Sequence, residues 1–270
     1  MKRKRIAKLL AVMILLIALF TPVNFTIAQD GDDSDVTIIY SNDLPTNQDI
    51  VITVETNDNL SGVKEIILPD GTRITEKIAT YTVAENGSYE FRVLDNAENE
   101  TKGTVNIDNI DKEKPILELV VDKTEPTNQD VIINVKAIDE QSGIKEIILP
   151  DGTKITEEVT NYTVTENGNF EFKAIDNAGN ETSEIIEIAN IDKIPPVITI
   201  EPYETNWTNQ DITVYAKADK GELNQESYTF TENGEFTFVV IDKAGNRTEE
   251  TVKITNIDKV KPTMKITVGE

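Results

Sequence analysis

The chain offers one kind of chemically active side chain in quantity, the carboxylate. Its 270 residues include 49 Asp and Glu against 26 Lys and Arg, and no Cys or His. Without Cys or His there can be no disulfide, no thiolate or imidazole metal ligand, and no Ser-His-Asp or Cys-His nucleophile pair. Acid–base chemistry and metal binding would therefore depend on carboxylates, and the metals would be those that prefer oxygen, such as calcium.

Three Asp residues recur at equivalent places, where each opens a short Asp-x-Ala-x-Asn sequence: Asp95, Asp176 and Asp242. An Asp side chain accepts hydrogen bonds from nearby backbone N–H groups, which suits a tight turn. An enzyme needs one active site, so a residue that occurs three times is better explained by a repeated fold. No insertion is present that would build a cleft around a carboxylate pair for glycosidic cleavage. We therefore predict that the protein is not an enzyme and has no catalytic residue.

Another set of acidic residues is a candidate for binding calcium. Asp111 and Asp192 lie in Asn-Ile-Asp-Lys sequences at the ends of two copies, and Asp58 and Asp139 lie in loops between predicted strands. Calcium takes about six to eight oxygen ligands, several of them from side chains at set spacing. No Asp-x-Asp-x-Asp-Gly sequence supplies that spacing. The chain is therefore expected to need no cofactor, and these four residues are the places where calcium would bind if it does.

Trp207 is the only Trp in the chain and stands where the two earlier copies have Pro. An indole ring on a loop suits stacking on the face of a sugar, which makes Trp207 the candidate ligand-binding residue. The favoured interpretation is structural, with the ring plugging the end of a sandwich, and sugar stacking is the alternative. Glycan binding by a Trp207→Ala variant would separate the two.

Three near-copies of one stretch supply the elements that would position these residues. The stretches begin with Glu-Asn-Gly at residues 85, 166 and 232 and continue with alternating apolar and polar side chains. Because the side chains of a strand alternate between its two faces, one set of aromatic residues is predicted to lie in the core: Tyr89, Phe91, Phe170, Phe172, Phe236 and Phe238. The copies are spaced by 81 and then by 66 residues, so the third has lost fifteen. These correspond to 142–156, predicted to be strand C and its hairpin.

Short runs rich in Val and Ile, bounded by Gly, Pro, Asn and Asp, recur throughout each copy. In the second copy they predict strands at 116–121, from 131, at 144–149, from 154, at 162–164, from 170 and at 182–191. About seven short strands in roughly 80 residues are typical of a β-sandwich. The predicted fold class is therefore all-β.

The stretch Glu-Asn-Gly-x-(Tyr/Phe)-x-Phe, followed by Asp-Asn-Ala-Gly-Asn and a closing Asn-Ile-Asp-Lys, resembles the bacterial immunoglobulin-like repeats of secreted and cell-wall proteins. The resemblance covers residues 35–259 and implies tandem immunoglobulin-like β-sandwich domains. It also implies spacing and adhesion rather than catalysis. The disulfide and the strand-C Trp that are usual in immunoglobulin folds are absent, so apolar packing alone is expected to hold each core.

The first 28 residues predict a secretory signal peptide. Basic residues near the start precede an apolar run of twelve at 9–20, and Thr26-Ile27-Ala28 supplies small residues before an expected cut after Ala28. Twelve helical residues would span only ~18 Å of the ~30 Å hydrocarbon core, so an uncleaved anchor is the less favoured alternative. The mature protein is expected to be secreted or on the cell surface, without membrane insertion.

The predicted organisation has six parts: a signal peptide at 1–28, an acidic lead-in at 29–34, domains at 35–112 and 113–193, a shortened domain at 194–259, and at 260–270 the start of a further repeat or a C-terminal strand. The mature product is expected to be a monomeric rod of these domains. Its net charge of −23 before cleavage argues against nucleic acid as a partner, because phosphate binding needs clustered Lys and Arg.

The expected function is that of a non-catalytic structural spacer or adhesion module. Its partner would be an unknown protein or a cell-wall glycan. Two alternatives remain open at this point: a carbohydrate-binding module, or the non-catalytic fragment of a larger secreted enzyme.

Overall fold

The computed structural model describes residues 23–28 and 34–266, and every regular element in them is a β-strand. The first eight strands are β1 (Val23–Ala28), β2 (Ser34–Tyr40), β3 (Ile50–Asp58), β4 (Val63–Ile67), β5 (Arg73–Ile74), β6 (Ile78–Val83), β7 (Gly87–Asp95) and β8 (Glu100–Ile107). The next seven are β9 (Ile116–Val121), β10 (Val131–Ile138), β11 (Ile144–Ile148), β12 (Lys154–Ile155), β13 (Val159–Val164), β14 (Gly168–Asp176) and β15 (Glu181–Ile188). The last six are β16 (Ile198–Ile200), β17 (Ile212–Ala218), β18 (Glu222–Leu223), β19 (Ser227–Phe230), β20 (Gly234–Ile241) and β21 (Arg247–Ile254). In this part of the chain no helix has the length and apolar character needed to cross a membrane.

The described residues form two compact units. The first holds those up to Glu118, together with Lys136–Thr160 and Glu171–Glu184. The second holds Leu119–Val135, Asn161–Phe170 and the described residues from Ile185 onward. The residues of the predicted second domain, 113–193, are thus divided between the two units.

In the first unit, two four-stranded antiparallel sheets enclose a core. Their strand orders are β1-β2-β3-β6 and β5-β4-β7-β8. Alternation along β3 buries Ile50, Ile52 and Val54 on one face. Phe91 of β7 and Val105 of β8 come from the other sheet into the same buried cluster. Removal of such side chains from water is the main force that holds two sheets face to face.

The second unit contains a sheet of order β16-β17-β19 and a sheet of order β18-β20-β21. Val214 of β17, Phe230 of β19 and Phe238 of β20 lie in one buried cluster. Phe236 stacks on Tyr228 with ring centroids 3.9 Å apart, and both rings pack against that cluster. The aromatic pair therefore extends the apolar contact between the two sheets.

The strands from β9 to β15 form sheets of order β13-β10-β9 and β12-β11-β14-β15. One face of β10 is fully buried and carries Val131, Ile133, Val135 and Ala137. The intervening side chains of β10 are exposed or half-buried. This period of two is the pattern of a strand with one face on a core.

The prediction of an all-β chain is confirmed, and the packed antiparallel sheets are consistent with β-sandwiches. Strand β9 has the predicted bounds, whereas β15 ends at Ile188, three residues before the predicted end. The aromatic residues fall into two groups. Phe91, Phe172 and Phe238 are at most 1% exposed. The three that precede them by two positions are half-buried: Tyr89, Phe170 and Phe236.

The shortened segment near residue 220 differs from its prediction. The fifteen-residue deletion predicts complete loss of strand C, but β18 remains and pairs with Val240 and Ile241 of β20. Past β18, the Asn224 side chain accepts a hydrogen bond from the Val239 N–H at 2.9 Å and donates to the Thr237 carbonyl at 3.1 Å. A side-chain amide thus satisfies backbone groups on an edge that a longer strand would otherwise cover.

Both ends of the predicted organisation lie partly outside the described residues. Residues 1–22 of the predicted signal peptide and 29–33 of the lead-in are outside them, and Val23–Ala28 forms β1, paired antiparallel with β2. Cleavage after Ala28, which would remove this strand, stays a prediction. At the other end, residues 258–266 form no strand, and 267–270 lie outside the described residues.

Candidate functional site

Three Asp side chains that are far apart in sequence converge in the first unit. One carboxylate oxygen from each of Asp111, Asp139 and Asp176 lies within 4.8 Å of the others. Asp111 follows β8, Asp139 follows β10 directly, and Asp176 is the last residue of β14. Asp111 is 2% exposed and Asp176 is 0% exposed, while Asp139 is half-buried. Two of the three carboxylates therefore have little contact with water.

Backbone N–H groups hold Asp139 in place. Its Oδ1 accepts hydrogen bonds from the N–H groups of Ser142 and Gly143, both at 2.8 Å. Gly143 has a φ of +77°, in the left-handed region that Gly adopts without a Cβ penalty. The Ser142 N–H also donates to Oδ2 of Asp111 at 3.2 Å. One loop thus positions two of the three carboxylates together.

Asn180 fixes the third carboxylate and joins it to the segment that contains Asp111. The backbone N–H and the side-chain amide of Asn180 donate to the two oxygens of Asp176, both at 2.8 Å. The same amide donates to the backbone carbonyl of Asp111 at 3.0 Å. Nearby, the Thr182 hydroxyl donates to the Pro115 carbonyl at 2.6 Å. These bonds hold the segment after β8 against the turn between β14 and β15.

The second unit has a corresponding arrangement with a cation at its centre. The Lys220 ammonium lies 2.7 Å from Oδ2 of Asp192 and 3.0 Å from Oδ2 of Asp242. It also donates to the backbone carbonyl of Ile194 at 2.7 Å. Asn246 bonds to Asp242 through its N–H at 2.8 Å and its side-chain amide at 3.0 Å. Its amide also donates to the Asp192 carbonyl at 2.7 Å, as Asn180 does to Asp111.

The Lys220 ammonium favours the charged form of both neighbouring carboxylates. Burial acts to raise the pKa of Asp242, but hydrogen bonds from Asn246 and Lys220 outweigh it and lower that pKa to about 2. The hydrogen bond from Lys220 also lowers the pKa of Asp192. In return, the bond to Asp192 raises the pKa of Lys220. All three groups are therefore charged at neutral pH.

The correspondence between the two arrangements follows the spacing of the copies. Three pairs of residues stand at equivalent steps along the chain: Asp111 and Asp192, Asp139 and Lys220, and Asp176 and Asp242. The sequence pattern predicts only a turn role for Asp176 and no role at a site for Lys220. Superposing the copies at a step of 81 residues would have placed Lys220 on Asp139. Asp176 makes its turn bonds and also faces the other two carboxylates.

The remaining acidic candidates join no group of three carboxylates within the described residues. Asp58 accepts hydrogen bonds from the Leu60 N–H at 2.8 Å and the Ser61 hydroxyl at 2.9 Å, which shape the loop between β3 and β4. Asp95 accepts from the N–H and the side-chain amide of Asn99, both at 2.7 Å. The side-chain bond from Asn99 is the main cause that lowers the pKa of Asp95. Both residues shape turns in the first unit.

Trp207 lies on the surface. The residue is 75% exposed and borders a depression together with Thr208, Asn209 and Asp258. The interpretation of Trp207 as a plug at the end of a sandwich is therefore wrong, because a plug would lie among apolar side chains. Tyr203, by contrast, packs against the buried cluster of the second unit. The exposed indole is open to solvent, as stacking on a sugar requires.

Comparison with known proteins identifies no family for the chain, because no family model and no curated protein matches it. Among solved structures, dimeric latent PorU from Porphyromonas gingivalis matches with 11% sequence identity and a TM-score of 0.22. The match covers 78% of this chain and 27% of the PorU chain, so this chain spans well under half of that protein's length. A TM-score of that size does not establish a common fold.

Proposed function

We propose that the protein is a secreted or cell-surface repeat protein without catalytic activity, whose immunoglobulin-like domains act as a structural spacer or adhesion module. The proposal assigns β-sandwich domains to residues 35–112, 113–193 and 194–259, with the third shortened. Each domain is held by its own apolar core. The partner of an adhesive surface would be a protein or a cell-wall glycan.

A pair of backbone hydrogen bonds, which we call the lock, recurs three times and supports this proposal. Thr46 donates its N–H to the Asn109 carbonyl at 2.9 Å and accepts at its own carbonyl from the Asp111 N–H at 2.9 Å. The same two bonds recur twice in the second unit: Thr127 with Asn190 and Asp192, and Thr208 with Asn256 and Asp258. Each lock joins the end of one copy to a residue near its start. A repeated closure of this kind is what a chain of self-contained modules needs.

An exposed ion pair accompanies each lock, with a nitrogen–oxygen distance of 2.6 Å in all three cases: Lys112 with Asp49, Lys193 with Asp130, and Lys259 with Asp211. Exposed pairs contribute only about 0–1 kcal/mol each, so the lock depends mainly on its backbone bonds. The backbone bonds that close a domain recur in all three copies. The group of three carboxylates does not recur unchanged, because Lys220 replaces Asp139 in the second unit. A structural role fits this pattern better than a repeated catalytic one.

Location of the protein on intact source cells tests the proposal. We expect a chain that begins at Gln29, is found in the medium or on the surface, and is cut by protease added outside the cells. A protein that begins at Met1 and is protected inside intact cells would contradict the proposal. A pull-down with the secreted protein then separates the two roles, because an adhesion module retains a partner and a spacer does not.

Exposure of Trp207 favours carbohydrate binding as a second candidate function. In this case the indole ring stacks on a sugar of the cell wall. Retention on immobilised cell-wall glycans should be lost in Trp207→Ala, while Tyr215→Ala, which removes another aromatic residue that is 53% exposed, should leave it unchanged. Failure of the unmodified protein to bind any such glycan would remove this candidate.

A further inference from the structure

We propose that Asp111, Asp139 and Asp176 bind a divalent cation of the calcium class, and that Lys220 supplies the equivalent positive charge in the second unit. This inference does not rest on the proposed function. It rests on the arrangement of charge within each unit and on the exchange of Asp139 for Lys220 between the two arrangements.

The three carboxylates place unbalanced negative charge in the first unit. Three carboxylates have oxygens within 4.8 Å of one another, and two of them are almost fully buried. Among the described residues, the ion pairs include none to Asp111, Asp139 or Asp176. Like charges at this separation repel one another, most strongly where water is excluded. A cation from solution would relieve that repulsion.

The second unit holds a cation at the equivalent place, which is an observation independent of the acidic cluster. There the space between two carboxylates does hold a cation, the Lys220 ammonium, which contacts three oxygens at 2.7 to 3.0 Å. The two carboxylates that hold it, Asp192 and Asp242, correspond to Asp111 and Asp176. In the second unit this pair of carboxylates therefore binds a cation, and that cation is part of the chain. In the first unit the built-in cation is missing and a third carboxylate stands at its position in the sequence.

The ligand atoms at the first site suit one class of cation. All side chains that converge are carboxylates, and the chain has no Cys or His to attract zinc. Ile194, whose carbonyl accepts from Lys220, corresponds to Glu113, so a backbone carbonyl is available in sequence at the first site as well. Carboxylates, a carbonyl and water are the ligands that calcium prefers. Backbone N–H groups and Asn180 already orient the carboxylates, so binding needs little rearrangement.

A cation at this site would also stabilise the fold. The three carboxylates come from the segment after β8, from the loop after β10 and from the end of β14. A cation shared by them would cross-link three separate parts of the first unit. Because a ligand that binds only the folded state raises its stability, calcium should stabilise the first unit and leave the second unchanged.

Calorimetric titration of the purified, chelator-treated protein with calcium chloride tests the proposal, with terbium luminescence as a second readout. We expect one calcium ion per chain. Asp139→Asn keeps an oxygen that can accept the loop hydrogen bonds but removes a charge, and it should weaken binding at least tenfold. Asp139→Lys copies the second site and should abolish binding while the chain stays folded in chelator. Absence of binding by the unmodified protein, or binding unaffected by Asp139→Lys, would overturn the proposal.

The reciprocal substitution sharpens the test. Lys220→Asp gives the second unit three carboxylates in place of two carboxylates and an ammonium, and it should raise the stoichiometry from one calcium ion to two. Lys220→Met serves as the matched control, because it removes the ammonium without adding a ligand and should leave the stoichiometry at one. A folded Lys220→Asp protein that still binds a single ion would show that the two sites are not equivalent.

Discussion

Two acidic sites that share a set of hydrogen bonds differ in the sign of the charge at one equivalent position, Asp139 in the first unit and Lys220 in the second. In both, an Asn after the third carboxylate donates to that carboxylate and to a backbone carbonyl, Asn180 at one site and Asn246 at the other. The scaffold is therefore kept while the charge at its centre changes sign. The position that varies controls where the positive charge comes from, and the surrounding hydrogen bonds control where it sits.

Two buried clusters, one in each unit, show a related contrast. The cluster that contains Phe91 has fourteen residues, and the cluster that contains Phe238 has eight. The smaller cluster is extended by the stacked pair of Tyr228 and Phe236. Since buried apolar area is the main source of stability, we expect the sheets around Phe238 to unfold before those around Phe91.

The largest expected effect comes from removing the central aromatic residue of either core. Phe91→Ala and Phe238→Ala each remove a ring that is at most 1% exposed, and each should lower the free energy of unfolding of its own unit by about 3–5 kcal/mol. Urea unfolding measures both. A conservative Phe91→Leu should cost clearly less. Equal losses in both units from one substitution would contradict the assignment of separate cores.

The aromatic pattern is also the part of the fold that the sequence predicts best. Alternation along a strand fixes which side chains share a face, so the burial of Phe91, Phe172 and Phe238 agrees with a pattern of period two. Strand β9 was predictable for the same reason. The survival of β18 was not, because a two-residue strand leaves no periodic signal, and its edge is completed by the side chain of Asn224 rather than by backbone.

The convergence of three carboxylates was only partly predictable. Asp111 and Asp139 stood out because acidic residues at copy ends and in loops suit calcium. Asp176 did not, since its turn role accounts for its presence in every copy. Only tertiary structure shows that the end of β14 meets the segment after β8. The exchange of Asp139 for Lys220 can be read from the sequence by aligning the copies at a step of 81 residues. That alignment does not show that the ammonium lies between two carboxylates.

The next largest effect is expected at Gly221, beside Lys220. Its φ is +85°, and a Cβ added there would lie 2.5 Å from the Ile241 carbonyl oxygen, which belongs to the backbone and cannot move aside cheaply. Gly221→Ala should therefore destabilise the second unit by more than the ~1–2 kcal/mol that a left-handed Ala costs alone. Gly71→Ala is the matched control, with the same φ and open space around the added Cβ. Similar losses in thermal melting for both variants would contradict the steric account.

Lowering the pH should destabilise the second site through protonation of Asp242. Its pKa of about 2 lies below the ordinary value of 3.8. A carboxyl whose pKa is depressed by folding contributes stability above its unfolded pKa and loses that contribution as the pH falls through the folded value. We expect the melting temperature of the second unit to fall between about pH 4 and pH 2. Lys220→Met should make that fall smaller, because without the ammonium the pKa of Asp242 in the folded chain lies closer to its unfolded value, and an unchanged profile would contradict the proposed pairing.

A smaller effect is expected at Tyr89, whose hydroxyl donates to the Glu85 carbonyl at 2.6 Å. Tyr89→Phe removes one hydrogen bond near the surface and should cost about 0.5–1.5 kcal/mol in the first unit. Phe170 stands at the equivalent place without a hydroxyl, so Phe170→Tyr offers the reverse test and should not destabilise. Chemical unfolding of both variants, measured side by side, shows whether the bond matters; a Tyr89→Phe protein as stable as the unmodified one would show that it does not.

Differential scanning calorimetry with and without calcium tests the central claim most directly, because it follows both units in one sample. Phe91→Ala and Phe238→Ala identify the transitions of the two cores that contain these rings. The account predicts that calcium raises the melting temperature of the transition that Phe91→Ala lowers, leaves the one that Phe238→Ala lowers unchanged, and loses this effect in Asp139→Lys. Equal shifts in both transitions, or no shift in either, would contradict the claim that the exchange of Asp139 for Lys220 decides where the chain needs a cation.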